Sequence, residues 1–153
     1  MIAFRELPPH SRIWIYQNTR EFTSSEAESI KKKAEEFVTQ WTSHDQLMKA
    51  SIEIFHNRFV VVCVDEKTAP ASGCGIDKSV KFIQTMEKEF SITLLDRMNV
   101  AYRKDGKILS GPIAELKNAG NVTVFNNLVA TKEEFEKNWE VPLEKSWHLK
   151  FIS

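Results

Sequence analysis

The chain has 153 residues, enough for one domain with its own buried core, and its 42% hydrophobic and 27% charged content is that of an ordinary globular protein. Lys plus Arg and Asp plus Glu number 21 each, so the formal net charge is zero, and no whole-molecule field draws the chain to nucleic acid or to an anionic membrane. No apolar run approaches a membrane span, and the opening Met1-Ile2-Ala3-Phe4-Arg5 is no signal peptide, so the expected location is the cytoplasm with Cys63 and Cys74 reduced.

In chain order, Arg12-Ile13-Trp14-Ile15-Tyr16 is a β-branched and aromatic run that reads as a strand. A helix follows. Thr23 and Glu26 stand in capping-box spacing, and Ala27, Ile30, Ala34, Phe37, Val38 and Trp41 recur at helical intervals. On its outer face Lys31-Lys32-Lys33 is followed at once by Glu35-Glu36, the pattern of a solvated surface, and the helix is expected to stop near Ser43-His44-Asp45.

Ser51 to Phe55 and Phe59 to Val64 form the next two expected strands, close enough across His56-Asn57-Arg58 for a hairpin. The second is apolar throughout, which requires cover on both faces and marks it as the central strand. A loop from Glu66 to Gly75 feeds a second amphipathic helix with the stripe Ile76, Val80, Ile83, Met86 and Phe90. Either Ile92–Leu95 or Val122–Val129 then supplies the strand that closes a ferredoxin-like, split βαβ core. Between them, Lys104-Asp105-Gly106 turns an extra hairpin, and Pro112 opens a short helix to about Lys117. Thr131 and Glu134 form a second capping box in the C-terminal extension. The expected architecture is a single α+β domain over 1–153, an antiparallel sheet with helices on one face.

Several chemistries have no motif here. The chain lacks a Gly-x-x-x-x-Gly-Lys-Ser/Thr phosphate loop, a Gly-x-Gly-x-x-Gly turn, Cys-x-x-Cys, His-Glu-x-x-His and Gly-x-Ser-x-Gly. Its histidines (His10, His44, His56 and His148) fall in no ligand spacing, and no cofactor is expected.

Three groups of residues are candidates for a site. Ser72-Gly73-Cys74-Gly75-Ile76-Asp77 brings small residues and a thiol to the start of a helix, where free N–H groups favour an anion or a thiolate; Cys74 is the candidate nucleophile and Asp77 its assistant. The bland alternative has Ser72 and the glycines making the turn, Asp77 capping the helix and Cys74 filling a buried gap. Asp65, Asp77 and Asp96 lie at element ends, where they serve a hard metal such as magnesium or merely form caps, turns and, for Asp96-Arg97, an ion pair. Trp14 and Tyr16 share one strand face, which is a recognition surface if uncovered and core if not. Asn126-Asn127 stands between Val124-Phe125 and Leu128-Val129; amides there either pin the backbone or hydrogen-bond a ligand.

Arg12–Gln17, Ser72–Asp77, Asp96-Arg97-Met98 and Phe125–Val129 together resemble a small, uncharacterised bacterial protein family of about this length. Its members are often labelled "ABC transporter ATPase" although they lack Walker motifs. The resemblance spans nearly the whole chain and implies no catalytic residues. The label has no physical support in these residues: Leu109-Ser110-Gly111 matches only the start of an ABC signature, and no Walker lysine is present to hold phosphate. The expected function is therefore a non-catalytic module that binds a small anion or a protein partner, and a homodimer is the oligomer expected by analogy with other open antiparallel sheets. A thiol enzyme using Cys74 and a metal-dependent hydrolase or nuclease using Asp65, Asp77 and Asp96 are the alternatives.

Overall fold

The computed structural model describes residues 1–67 and 69–152; Thr68, within the expected Glu66–Gly75 loop, and Ser153 lie outside the described residues. After a short 3₁₀ turn at Phe4–Glu6 come β1 (Arg12–Gln17) and α1 (Ser24–Gln40), then a miniature hairpin of β2 (Thr42–Ser43) and β3 (Gln46–Leu47). β4 (Lys49–Phe55), β5 (Phe59–Asp65) and α2 (Gly73–Phe90) follow. The C-terminal half holds β6 (Asn99–Lys104), β7 (Lys107–Pro112), β8 (Thr123–Phe125), α3 (Lys132–Asn138) and β9 (Glu140–Pro142), with short 3₁₀ turns between and after them.

Local chemistry accounts for most boundaries. The Thr23–Glu26 capping box forms in full at the start of α1. His56 and Asn57, at φ 51° and 54°, make the tight left-handed link between β4 and β5, and Asp105-Gly106 does the same between β6 and β7. The expected helix after Pro112 is a 3₁₀ segment over Ile113–Asn118. α1 ends earlier than Ser43: Trp41 leaves the helix in an extended conformation, and its indole N–H donates to the Gly75 carbonyl at 2.9 Å.

Among the described residues the first sheet has the antiparallel order β1–β5–β4, so β5 is central as its composition requires. Val60, Val62 and Val64 face α1 and α2 in one core, together with Ile30, Val38, Ile52 and Ile83. Phe59, Val61 and Cys63 face the opposite way into a core with Ile13, Phe125, Phe135 and Trp139. Phe59 to Val64 are all fully buried, each side chain contributing about 1.5–3 kcal/mol of transfer free energy. The second sheet, of order β7–β6–β8–β9, covers that second face, and its own outer side packs on Leu116 and Leu143.

The long helices thus lie on one face of the first sheet, as expected, but that sheet stops at three strands among the described residues. Neither expected closing strand joins it. The backbone N–H groups of Leu94 and Leu95 are captured by the Glu87 carboxylate at 2.7 and 3.0 Å, which leaves Ile92–Leu95 as coil. Val122–Val129 yields only β8, which pairs with β6, because Asn126 accepts from Leu128 N–H and turns the chain. Thr131 reaches β1 by a single bridge to Arg12, and Ala130 accepts from Ile13 N–H at 2.9 Å. Beyond that contact the outer edge of β1 has no strand beside it among the described residues.

Candidate functional site

The open edge of β1 lies in a cleft of about 320 Å³, at the small end of the size of ligand pockets. One wall is the α2–β6 connection with the start of β6, from Leu94 to Val100; the other runs from Phe125 to Ala130, with Trp147 and His148 behind it. Segments about 80 and 110 positions after β1 in sequence therefore meet on its edge.

Its apolar lining comes from both sides of the strand. Trp14 and Tyr16 are half-buried: they pack against the helical core and also line the cleft, so the core and the recognition readings of this strand face each hold in part. Ile13 and Ile15 face the second core. Leu95 and Leu128 stand exposed on the two rims, Leu128 at 62%. Arg12 lies over the Trp14 ring at 4.5 Å and pairs with Glu66 at 3.1 Å.

Three polar groups in this lining have no protein partner among the described residues. Burial raises the Tyr16 hydroxyl above the usual phenol range, with the nearby Arg97 charge opposing it, and that hydroxyl makes no hydrogen bond. Arg97 is exposed and forms no ion pair, so the expected Asp96–Arg97 pairing is not made. Asp96 instead accepts from Met98 N–H at 2.9 Å, the turn-forming role. His148 is only 1% exposed; its Nδ1 meets Ser146 Oγ at 2.5 Å while Nε2 has no partner. Burial holds the imidazole pKa down to about 4, so the ring is neutral at pH 7. A Ser146 hydroxyl that donates to Nδ1 leaves the proton on Nε2, a donor available to the cleft.

The amides Asn126 and Asn127 pin the walls. Asn127 Nδ2 donates to Gln17 Oε1 at 3.0 Å and its Oδ1 accepts from the Trp139 indole at 2.9 Å. Gln17 Nε2 reaches the carbonyl and side-chain oxygens of Asn99 at 3.2 and 3.1 Å. Asn126 Oδ1 accepts from the Trp147 indole at 3.0 Å. These bonds join β1, the α2–β6 connection and the 125–130 wall, so the cleft is pre-formed. Their partners are far apart in sequence, which is why Gln17, Asn99 and His148 give no local signal. The one hint is an unusual density of amides and indoles beside apolar runs.

The Ser72–Asp77 candidates are not in this cleft. Ser72 caps α2, accepting from Gly75 N–H at 3.2 Å and contacting Ser43 Oγ at 2.7 Å. Gly73 and Gly75 are helical residues and not a ligand-cradling loop. A Cβ on Gly75 would stand 3.3 Å from Ser43 Cβ, so its smallness lets β2 approach the helix. Asp77 is an exposed helical residue and does not cap. Cys74 is exposed, which corrects the idea that it fills a gap, and neither His44 nor His56 bonds to it among the described residues. His56 instead stacks on Trp139 and pairs with Glu140 at 3.4 Å. Cys63 is core, its thiol pushed up to about 12 by burial.

Asp65 accepts from Lys67 N–H and contacts His10 Nε2, both at 3.1 Å, and these partners hold it below the usual carboxylate range. Asp65, Asp77 and Asp96 do not come together: no group of three or more potential metal ligands occurs among the described residues. No helix of the described residues is long and apolar enough to cross a membrane. Neither family models, nor curated proteins, nor solved structures yield a match to this chain.

Proposed function

We propose that this protein is a non-catalytic recognition module whose cleft along β1 takes a ligand with an apolar body and an anionic group. The observation that carries this reading is the pairing of apolar walls with three polar groups left unpartnered among the described residues: Tyr16 hydroxyl, His148 Nε2 and the Arg97 guanidinium. Arg97 is exposed and Tyr16 half-buried, so these groups keep contact with solvent, and a ligand that carries complementary groups into the pre-formed cleft can replace water at them. Arg97 supplies the charge selection; Leu95, Leu128 and the Trp14 and Tyr16 rings supply the apolar contact. Three of the four segments on which the family resemblance rests line this cleft. Ser146, whose hydroxyl meets the His148 ring, does not itself line the cleft, which favours binding over turnover. Two free thiols suit a reducing cytoplasm.

The test is an amide and indole NMR titration with octanoate, using octanol as the uncharged control. Octanoate is expected to shift Ile15, Gln17, Leu95 and the Trp147 indole, and to bind several-fold tighter than octanol. Arg97→Gln is expected to remove that advantage, worth about 1 kcal/mol for an exposed ion pair. Failure of both compounds to move those signals at millimolar concentration would defeat the reading. The thiol-enzyme alternative has one favourable observation, the exposure of Cys74 at the start of α2. It requires Cys74 to alkylate far faster at neutral pH than an ordinary surface thiol.

A further inference from the structure

We propose that the ligand of this cleft is a short extended segment of a partner polypeptide that hydrogen-bonds to β1 as an added strand; this rests on the reading of the cleft as a binding site. The backbone of β1 carries the inference. Asn18 N–H donates to the Arg58 carbonyl in continuation of the β1–β5 ladder, so the even-numbered residues of β1 are those that bond to β5. Alternation turns the odd-numbered residues outward, and the bond from Ile13 N–H to the Ala130 carbonyl confirms the direction. The Ile13 carbonyl, both backbone groups of Ile15 and the Gln17 N–H therefore point away from β5. No loop hydrogen bond reaches them among the described residues.

An unpaired edge is ordinarily blunted by charge, proline or a bulge, or covered by another element. Ile15 to Gln17 has none of these devices, yet it lies at the floor of a cleft between two walls. The recess protects it from pairing with the flat edge of a second copy while admitting a single extended chain. From Ile13 to Gln17 the edge spans about 13 Å, room for roughly three or four residues of a strand. Side chains of such a strand alternate in direction, and the cleft offers apolar surface to both sets: Trp14, Tyr16 and Leu94 on one side, Ile15, Phe125 and Val129 on the other. Arg97, which lines the cleft two residues before the Asn99 that Gln17 bonds, lies toward the Gln17 end and selects a segment with an acidic residue there. Main-chain bonds give such a complex its affinity and the side-chain pockets its specificity.

The experiment selects binders from a random heptapeptide display library on the intact protein, then reads the backbone register of the best one. N-methylation along the selected peptide is expected to weaken binding at least tenfold at alternate positions and less than threefold between them. On binding, exchange of the Ile15 and Gln17 amide protons is expected to slow at least tenfold, while those of Trp14 and Tyr16, already paired, hold their rates. Loss of affinity without that period of two overturns the strand-addition proposal. So does a selection that enriches no peptide while octanoate still occupies the cleft, an outcome that leaves the binding reading standing. If neither peptide nor octanoate binds, both fall.

Discussion

His148, at 1% exposed, is more deeply buried than Lys132 or Tyr102, and its environment has a consequence for stability as well as for binding. An imidazole in the unfolded chain takes up a proton near pH 6.5, whereas burial keeps the folded ring neutral down to about pH 4. Between those values the unfolded state binds more protons, so stability rises with pH across that window and is flat, as far as this group goes, above it. Lowering the pH from 7 to 4.5 is therefore expected to cost about 2 kcal/mol through this residue. The window lies above that of the Glu26 carboxyl, which hydrogen bonds from Arg20 and the Thr23 backbone hold down to about 2; its contribution is lost as pH falls from the unfolded value of 4.5 toward 2. Urea unfolding at half-unit steps from pH 7 to 4.5 checks this. His148→Gln is expected to flatten the slope, and an unchanged slope in that variant would assign the acid sensitivity elsewhere.

The two glycines at the start of α2 look equivalent on paper and are not. A Cβ on Gly73 meets nothing within 4 Å, whereas one on Gly75 is already in tight contact with Ser43. Gly73→Ala is expected to stabilise the protein by roughly 0.5–1 kcal/mol through the helix preference of alanine. Gly75→Leu is expected to destabilise by about 1–3 kcal/mol through overpacking against β2. Thermal melts of the two variants decide it, and equal shifts would refute the close approach. The same positions mark where the sequence was legible. The Thr23–Glu26 capping box, both hairpins and the central place of β5 follow from near neighbours and from strict burial patterns, and each is present, whereas at Thr131 only the hydroxyl half of the box forms and the Glu134 carboxylate accepts from Ala130 N–H instead. The buried face of α2 was displaced: Gly75, Ser79 and Phe82 lie inward, while Ile76, Val80 and Phe90 are half-buried, because small and polar residues hide in a stripe judged by hydrophobicity. The closing strand failed because a carboxylate seven residues upstream captured its donors, a tertiary event without a local mark. Of the site, Trp14, Tyr16, Arg97 and Asn127 were legible as unusual residues; that they converge depends on the path of the 94–100 and 125–130 segments.

Seen whole, the molecule stacks two cores on opposite faces of β5, and that strand makes them inseparable. Val62 serves the helical core and its neighbours Val61 and Cys63 serve the aromatic one, so neither core persists if the strand leaves. Further ties cross between the halves: Arg58, in the β4–β5 turn, donates to the Ser110 hydroxyl and the Ile108 carbonyl of β7 at 3.1 and 3.3 Å. Lys132, buried at the start of α3, donates to the carbonyls of Arg5 and Leu7 at 3.2 and 2.7 Å, which fastens the N-terminal segment under the C-terminal half. A chain of this size with a shared central strand is expected to unfold as one cooperative unit. Trp41 reports on the helical core and Trp139 on the aromatic one, both nearly fully buried. With 5-fluorotryptophan incorporated, their fluorine resonances are expected to lose native intensity at a common urea midpoint. Separate midpoints would divide the molecule at β5, and a cleft whose walls belong to different units would then owe its shape to the ligand. A common midpoint means that the cleft, walled by both halves, is held in shape by the full stability of the fold before any ligand arrives.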